Sequence, residues 1–156
     1  MAQLLISEEI AGQVRAHAAH AYPHECCGAL LGRDGESGRE VLQVLPLENR
    51  RDDSPENRYA LSPDDVRAAE RAAGEKGMEL LGWYHSHPDH PARPSEFDRE
   101  HAWPWYSYVI VSVVERRPEQ ITSWRLADDR ARFEPEEMEV RRSPSVPLGA
   151  RLATGG

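Results

Sequence analysis

Within fourteen residues, His85-Ser86-His87-Pro88 and Ser95-Glu96-Phe97-Asp98 supply two imidazoles, a hydroxyl and a carboxylate. These are the parts of a three-ligand catalytic zinc site whose fourth position stays open. The preceding run, Glu79-Leu80-Leu81-Gly82-Trp83-Tyr84, is mostly apolar and predicts a strand. Side chains two apart on a strand point to the same face, so His85 and His87 can converge on one ion. Pro88 then stops the strand.

The elements around this stretch read as follows. Gln3 to Ile6 is a short strand. Ser7 caps a helix from Glu8 to about Ala21, with acids in its first turn and an apolar stripe of Ile10, Val14, Ala18 and Ala21; Pro23 ends it. Cys27 to Gly32 and Glu40 to Leu47 form a hairpin across the Arg33–Gly38 turn. Asn49 to Tyr59 is a polar loop. Ser62-Pro63-Asp64-Asp65 starts a second helix running to about Lys76, with Gly77 beyond its end. The HSHP strand follows, then a Pro-rich loop from Asp89 to Pro94 and a short helix from Ser95 to Trp103. Tyr106 to Val114 is the most strand-like run. Arg117-Pro118-Glu119-Gln120 is expected to turn it into a strand from Ile121 to Leu126. Ala131 to Val140 reads as strand or helix. The expected fold class is α/β (α+β): a curved, largely antiparallel sheet flanked by helices.

The 156 residues suit one domain, expected over 1–140, with an extended tail over 141–156. A formal net charge of -8 argues against a nucleic-acid or anionic-membrane surface. No apolar run approaches the roughly 20 residues of a membrane span. The start lacks the basic region of a signal peptide and meets acids at Glu8 and Glu9, so a soluble cytoplasmic protein is expected. Cys26 and Cys27 are adjacent, which makes a disulfide framework an unsuitable reading; they look like small buried apolar residues at a strand start. His90 and His101 look solvated. Trp103, Trp105 and Trp124 could line a binding surface, with core packing the simpler fate for most of them.

Taken alone, Ser95-x-x-Asp98 is a helix capping box, with Asp in place of the usual Glu. A ligand and a full capping partner compete for one carboxylate, and the ligand role is preferred here. Rival chemistries explain less. A nucleoside deaminase needs H-x-E and P-C-x-x-C, but Glu25 follows His24 directly and no second cysteine pair exists. A cysteine protease built on Cys26 or Cys27 leaves HxH and SxxD unexplained. The HExxH of a zincin helix is absent.

The combination of Glu25 in Pro23-His24-Glu25-Cys26-Cys27-Gly28 with His85-x-His87, seven residues, Ser95, two residues and Asp98 resembles the JAMM (MPN-plus, JAB) zinc peptidase family. The compact chain is similar to its small prokaryotic branch. The resemblance covers about residues 1 to 140. It implies an α/β sandwich like that of cytidine deaminases, one Zn²⁺ ion bound by His85, His87 and Asp98, a general base in Glu25 and an oxyanion-stabilising hydroxyl in Ser95. It also implies a ubiquitin-like β-grasp partner ending in Gly-Gly. The bond cut after that Gly-Gly would release a lysine-bearing target or, alternatively, cysteine from a sulfur carrier. Relatives serving only as scaffolds lose a His or Asp of the motif, which this chain keeps. Leu152-Ala153-Thr154-Gly155-Gly156 is either a linker or an end similar to a mature modifier. In the second case the terminal glycines would enter the groove of a neighbouring molecule and make a homo-oligomer.

Overall fold

The computed structural model describes residues 3–48 and 61–142. The expected 49–59 loop and the Gly155-Gly156 tail therefore lie outside the described residues, as does the oligomer reading built on that tail.

Strand β1 (Gln3–Ser7) runs into helix α1 (Glu8–Ala21), where the Ser7 hydroxyl accepts from the Ile10 amide at 3.1 Å and Glu8 and Glu9 occupy the first turn. Both satisfy the positive, unpaired end of the helix. Strands β2 (Cys27–Gly35) and β3 (Gly38–Leu47) form the expected hairpin, longer at its turn end than anticipated. Helix α2 (Pro63–Glu75) has Pro at its first position and a full Ser62–Asp65 capping box. Strand β4 (Glu79–Pro88) carries the HSHP segment and ends at Pro88, as the sequence predicts. Helix α3 (Glu96–His101) is shorter than anticipated, because Ala102 is already extended. Strands β5 (Ser107–Val114), β6 (Arg117–Leu126) and β7 (Phe133–Arg141) complete the sheet. The ambiguous acidic segment is thus a strand.

The strands are ordered β3-β2-β4-β5-β6-β7, and β1 pairs parallel with both β7 and β3, which requires a strongly curved sheet. Four pairings are antiparallel (β2–β3, β2–β4, β5–β6, β6–β7), and β4–β5 is also parallel. The sheet is α+β and mixed. At Gly82 the parallel neighbour comes so close that a Cβ there would stand 1.9 Å from the Ser107 carbonyl oxygen, so only glycine fits.

Two apolar layers cover the sheet. On one face Ala11, Val14 and Ala18 of α1 pack with Leu4, Ile6, Leu30, Tyr84, Val109 and Val111. On the other, Ala69 and Ala73 of α2 meet Ala29, Leu31, Trp83, Tyr108 and Leu126. Alternation along β4 then carries His85 and His87 onto the Trp83 face.

The expected turn at Arg117–Gln120 is corrected. The chain reverses at Glu115 and Arg116, whose φ angles of 50° and 71° are both left-handed. A two-residue turn of that hand matches the twist of the flanking strands. Pro118 is consequently inside β6, opposite Val113. The ladder is irregular beside it: the Ser112 hydroxyl accepts from the Gln120 amide at 3.0 Å. The expectation that most of three tryptophans pack in the core also fails for two: Trp103 and Trp105 are exposed, and Trp124 is half-buried.

Candidate metal centre

The end of β4 and the start of α3 bring the three expected ligands together. His85 Nε2 and His87 Nε2 stand 3.1 Å apart, and Asp98 Oδ2 lies 3.3 and 3.2 Å from them. All three residues are buried. Atoms bound at about 2.0–2.1 Å to a tetrahedral zinc stand about 3.3 Å from one another, so this triangle has the right edge for that ion. Its chemistry points the same way. The Pro91 carbonyl, 2.9 Å from His87 Nδ1, can only accept, so Nδ1 carries hydrogen and a neutral ring turns a lone pair at Nε2 toward the carboxylate. Two electron-rich atoms meeting at 3.2 Å are compatible with a cation between them.

Burial and mutual contact shift both His85 and Asp98. Burial lowers the His85 pKa below 6.5, only partly opposed by Asp98. Burial would raise the Asp98 carboxyl, but the flanking His85 and His87 outweigh it and hold it well below the usual carboxylate range. Asp98 does more than the sequence suggested. The Ser95 amide donates to Asp98 Oδ2 at 2.8 Å, and the Asp98 amide donates to Ser95 Oγ at 3.0 Å. The capping box is complete, and the same oxygen faces both imidazoles. The supposed competition between cap and ligand does not arise, because one carboxylate oxygen has lone pairs for both.

Glu25 and Ser95 share a cleft with His87. A cleft of about 280 Å³ is lined by Glu25, His87, His90, Pro91, Arg93 and Ser95. Glu25 is buried on the link between α1 and β2. That link is fastened at both ends: the Cys26 amide donates to Ser86 Oγ at 2.8 Å, and the Tyr22 hydroxyl donates to the Asp89 carboxylate at 2.8 Å. Sequence reading missed Ser86 as a tether, although its place between the two histidines put it opposite Cys26. His90 is exposed yet borders the cleft; His101 is exposed too, stacks on Phe97 and lies outside that cleft lining. Cys26 and Cys27 are buried, and burial pushes their thiols up to about 11 and about 12, which leaves neither a nucleophile. Wider grooves along β6 and β7, about 610 Å³ each, lack the triad.

A family model described as prokaryotic homologs of the JAB domain matches residues 7–127. The chain belongs to that family. It is 36% identical over 106 residues to a desampylase of Haloferax volcanii, spanning 67% of this chain and 74% of the relative. It is 30% identical over 133 residues to a CysO-cysteine peptidase of Mycobacterium tuberculosis, spanning 85% of this chain and 88% of the relative. A solution structure of a Salinibacter ruber protein is 47% identical, covers 95% of each chain and superposes with a TM-score of 0.69. With its motif intact, this family member is a hydrolase whose His85, His87 and Asp98 could hold a metal ion, and the non-catalytic scaffold reading is set aside. No helix among the described residues is long and apolar enough to cross a membrane.

Proposed function

We propose that this chain is a zinc-dependent peptidase that hydrolyses the amide following the C-terminal Gly-Gly of a ubiquitin-like modifier or sulfur-carrier protein. The observation that carries the reading is the convergence of His85, His87 and Asp98, with His87 lining a cleft that also holds the buried Glu25 and Ser95.

Zinc held by His85 Nε2, His87 Nε2 and Asp98 Oδ2 would polarise the scissile carbonyl and make a water acidic enough to attack near neutral pH. Glu25 would take a proton from the attacking water as its oxygen joins the carbonyl carbon, and would deliver a proton to the amine as the C–N bond breaks. The products are a glycine carboxylate and a free amine. Ser95 Oγ already accepts from the Asp98 amide, so its own hydrogen is available to the carbonyl oxygen as charge grows there. Pro91 and Ser95, at the capped start of α3, line the cleft beside His87.

Deconjugation from lysine is the first reading of the leaving group, in keeping with the desampylase relative. Release of cysteine is the second, favoured by the longer match to the CysO-cysteine peptidase. The test is cleavage of one Gly-Gly-ended β-grasp protein attached to a lysine side chain or to cysteine. Expected is chelator-sensitive cleavage that Glu25→Ala abolishes with zinc retained. Near-native rates in Glu25→Ala would remove the general-base assignment, and no zinc-dependent cleavage of either would remove the function.

A further inference from the structure

The cleft beside the triad holds one permanent cation among its lining residues, Arg93. We propose that Arg93, with His90 beside it, forms a subsite for the free α-carboxylate of the leaving amine. An amino acid attached through its α-nitrogen would then gain a contact that a lysine side chain lacks. The proposal rests on the hydrolysis proposed above and adds its leaving-group preference.

Three observations carry it. First, the backbone of Arg93 is fixed relative to His87. The Pro91 carbonyl accepts from both His87 Nδ1, at 2.9 Å, and the Arg93 amide, at 2.8 Å. Between them Ala92 is fully buried, and its carbonyl accepts from the Thr122 hydroxyl at 2.7 Å. Pro94 follows and limits the next turn of chain. Second, Arg93 has no acidic partner among the described residues. Arg15, Arg33, Arg71, Arg116 and Arg130 share that lack, but none of them lines the cleft beside the triad. On a chain of net charge -8, an exposed arginine with no acidic partner among the described residues lines the cleft beside His87. Third, the chemistry differs between the two leaving groups. An α-amino acid has its carboxylate two bonds from the scissile nitrogen, and Arg93 lines the cleft beside that position as well as the adjoining groove along β6 and β7. A lysine ε-nitrogen is followed by four methylenes, so no carboxylate lies there. A guanidinium binds a carboxylate by paired, charge-assisted hydrogen bonds, whereas a methylene stem offers it nothing.

The test uses the full zinc-loaded chain and one Gly-Gly-ended β-grasp carrier in three forms: joined to cysteine, to cysteine amide, and through the ε-nitrogen of lysine. For the unaltered protein, KM for the cysteine form should be about three- to fivefold below that for the amide form, with kcat similar, as befits an exposed charged contact. Arg93→Gln should erase that difference and leave the lysine form unchanged; Arg93→Lys should restore part of it. Binding of the acid and amide forms to Glu25→Gln gives the same comparison without turnover. Equal KM and equal binding for acid and amide would overturn the proposal, as would an Arg93→Gln loss shared by all three forms, which would put Arg93 on the modifier side. If no form is bound or cut, the peptidase reading fails first and takes this one with it.

Discussion

Two helices of this molecule begin with the same device. At α2 the Ser62 amide donates to Asp65 Oδ2 at 2.9 Å and the Asp65 amide to Ser62 Oγ at 3.1 Å. At α3 the corresponding distances, Ser95 to Asp98, are 2.8 and 3.0 Å. Both aspartates are buried. Locally they are the same solution to the same problem, the unpaired amides of a first helical turn. They differ in what the sheet places opposite. Asp65 lies outside the His85–His87–Asp98 cluster, whereas Asp98 Oδ2 faces the Nε2 atoms of His85 and His87. A capping box therefore holds a carboxylate at a fixed angle, and the tertiary fold decides whether that carboxylate becomes a ligand.

The sharpest way to break the comparison is to delete the two carboxylates separately. Asp98→Ala should lose bound zinc and roughly all turnover, a fall of at least about 10³-fold if catalysis needs the metal. Asp65→Ala should cost about 1 kcal/mol of stability, the worth of a cap, and leave zinc content and kcat intact. Metal analysis with a denaturant melt distinguishes them, and equal effects of the two substitutions would mean that α3 is merely capped. Next in size is Glu25→Gln. A general base contributes about 10²–10⁴-fold, so kcat should fall by that much with zinc stoichiometry unchanged. Loss of zinc in Glu25→Gln would instead make Glu25 part of the metal-holding set.

How far the sequence could be read follows the same division between local and tertiary. His85 and His87 were legible because period-two alternation is a property of the strand itself, and Pro88 marks its end. Ser62 and Ser95 were legible as caps because the motif is four residues long. The turn at Glu115 and Arg116 was not, because neither residue is the Gly or Asn that advertises a left-handed φ, while Pro118 next door advertises a turn it does not make. Ser86 and Arg93 were missed for a different reason. Each matters through a partner distant in sequence: Cys26 is 60 residues from Ser86, and Thr122 is 30 from Ala92, whose carbonyl it holds. Trp103 and Trp105 read as core by size alone, and the short α3 leaves them outside it.

The hydroxyls give a finer version of the carboxylate experiment. Ser62→Ala and Ser95→Ala each remove one cap acceptor and should cost about 1 kcal/mol alike. Only Ser95→Ala should also lower kcat, by about 10²–10³-fold if its hydrogen meets the developing oxyanion, with KM little changed. Ser95→Thr keeps the hydroxyl and should recover most of that loss. A Ser95→Ala enzyme with unaltered kcat would reduce Ser95 to a cap.

The smallest expected effect concerns pH. Burial favours the neutral form of whatever it covers, so around this site it moves bases and acids in opposite directions: His85 is lowered, whereas Cys26 and Cys27 are raised to about 11 and about 12. For the thiols the folded values lie above the ordinary 9.0, so the folded chain retains protons that the unfolded chain gives up. Their contribution to stability is complete below about pH 9 and is lost as pH rises toward the folded values. Denaturant midpoints should fall between pH 8 and 10.5, and the Cys26→Ala, Cys27→Ala double variant should fall less. At pH 8 the native thiols should react with iodoacetamide at least about a hundredfold more slowly than the unfolded ones, from the two-unit difference in thiolate fraction alone. Rapid native alkylation at that pH would show that the β2 end beside Glu25 opens to solvent. It would then be a looser support for the base than the capped α3 is for its ligand.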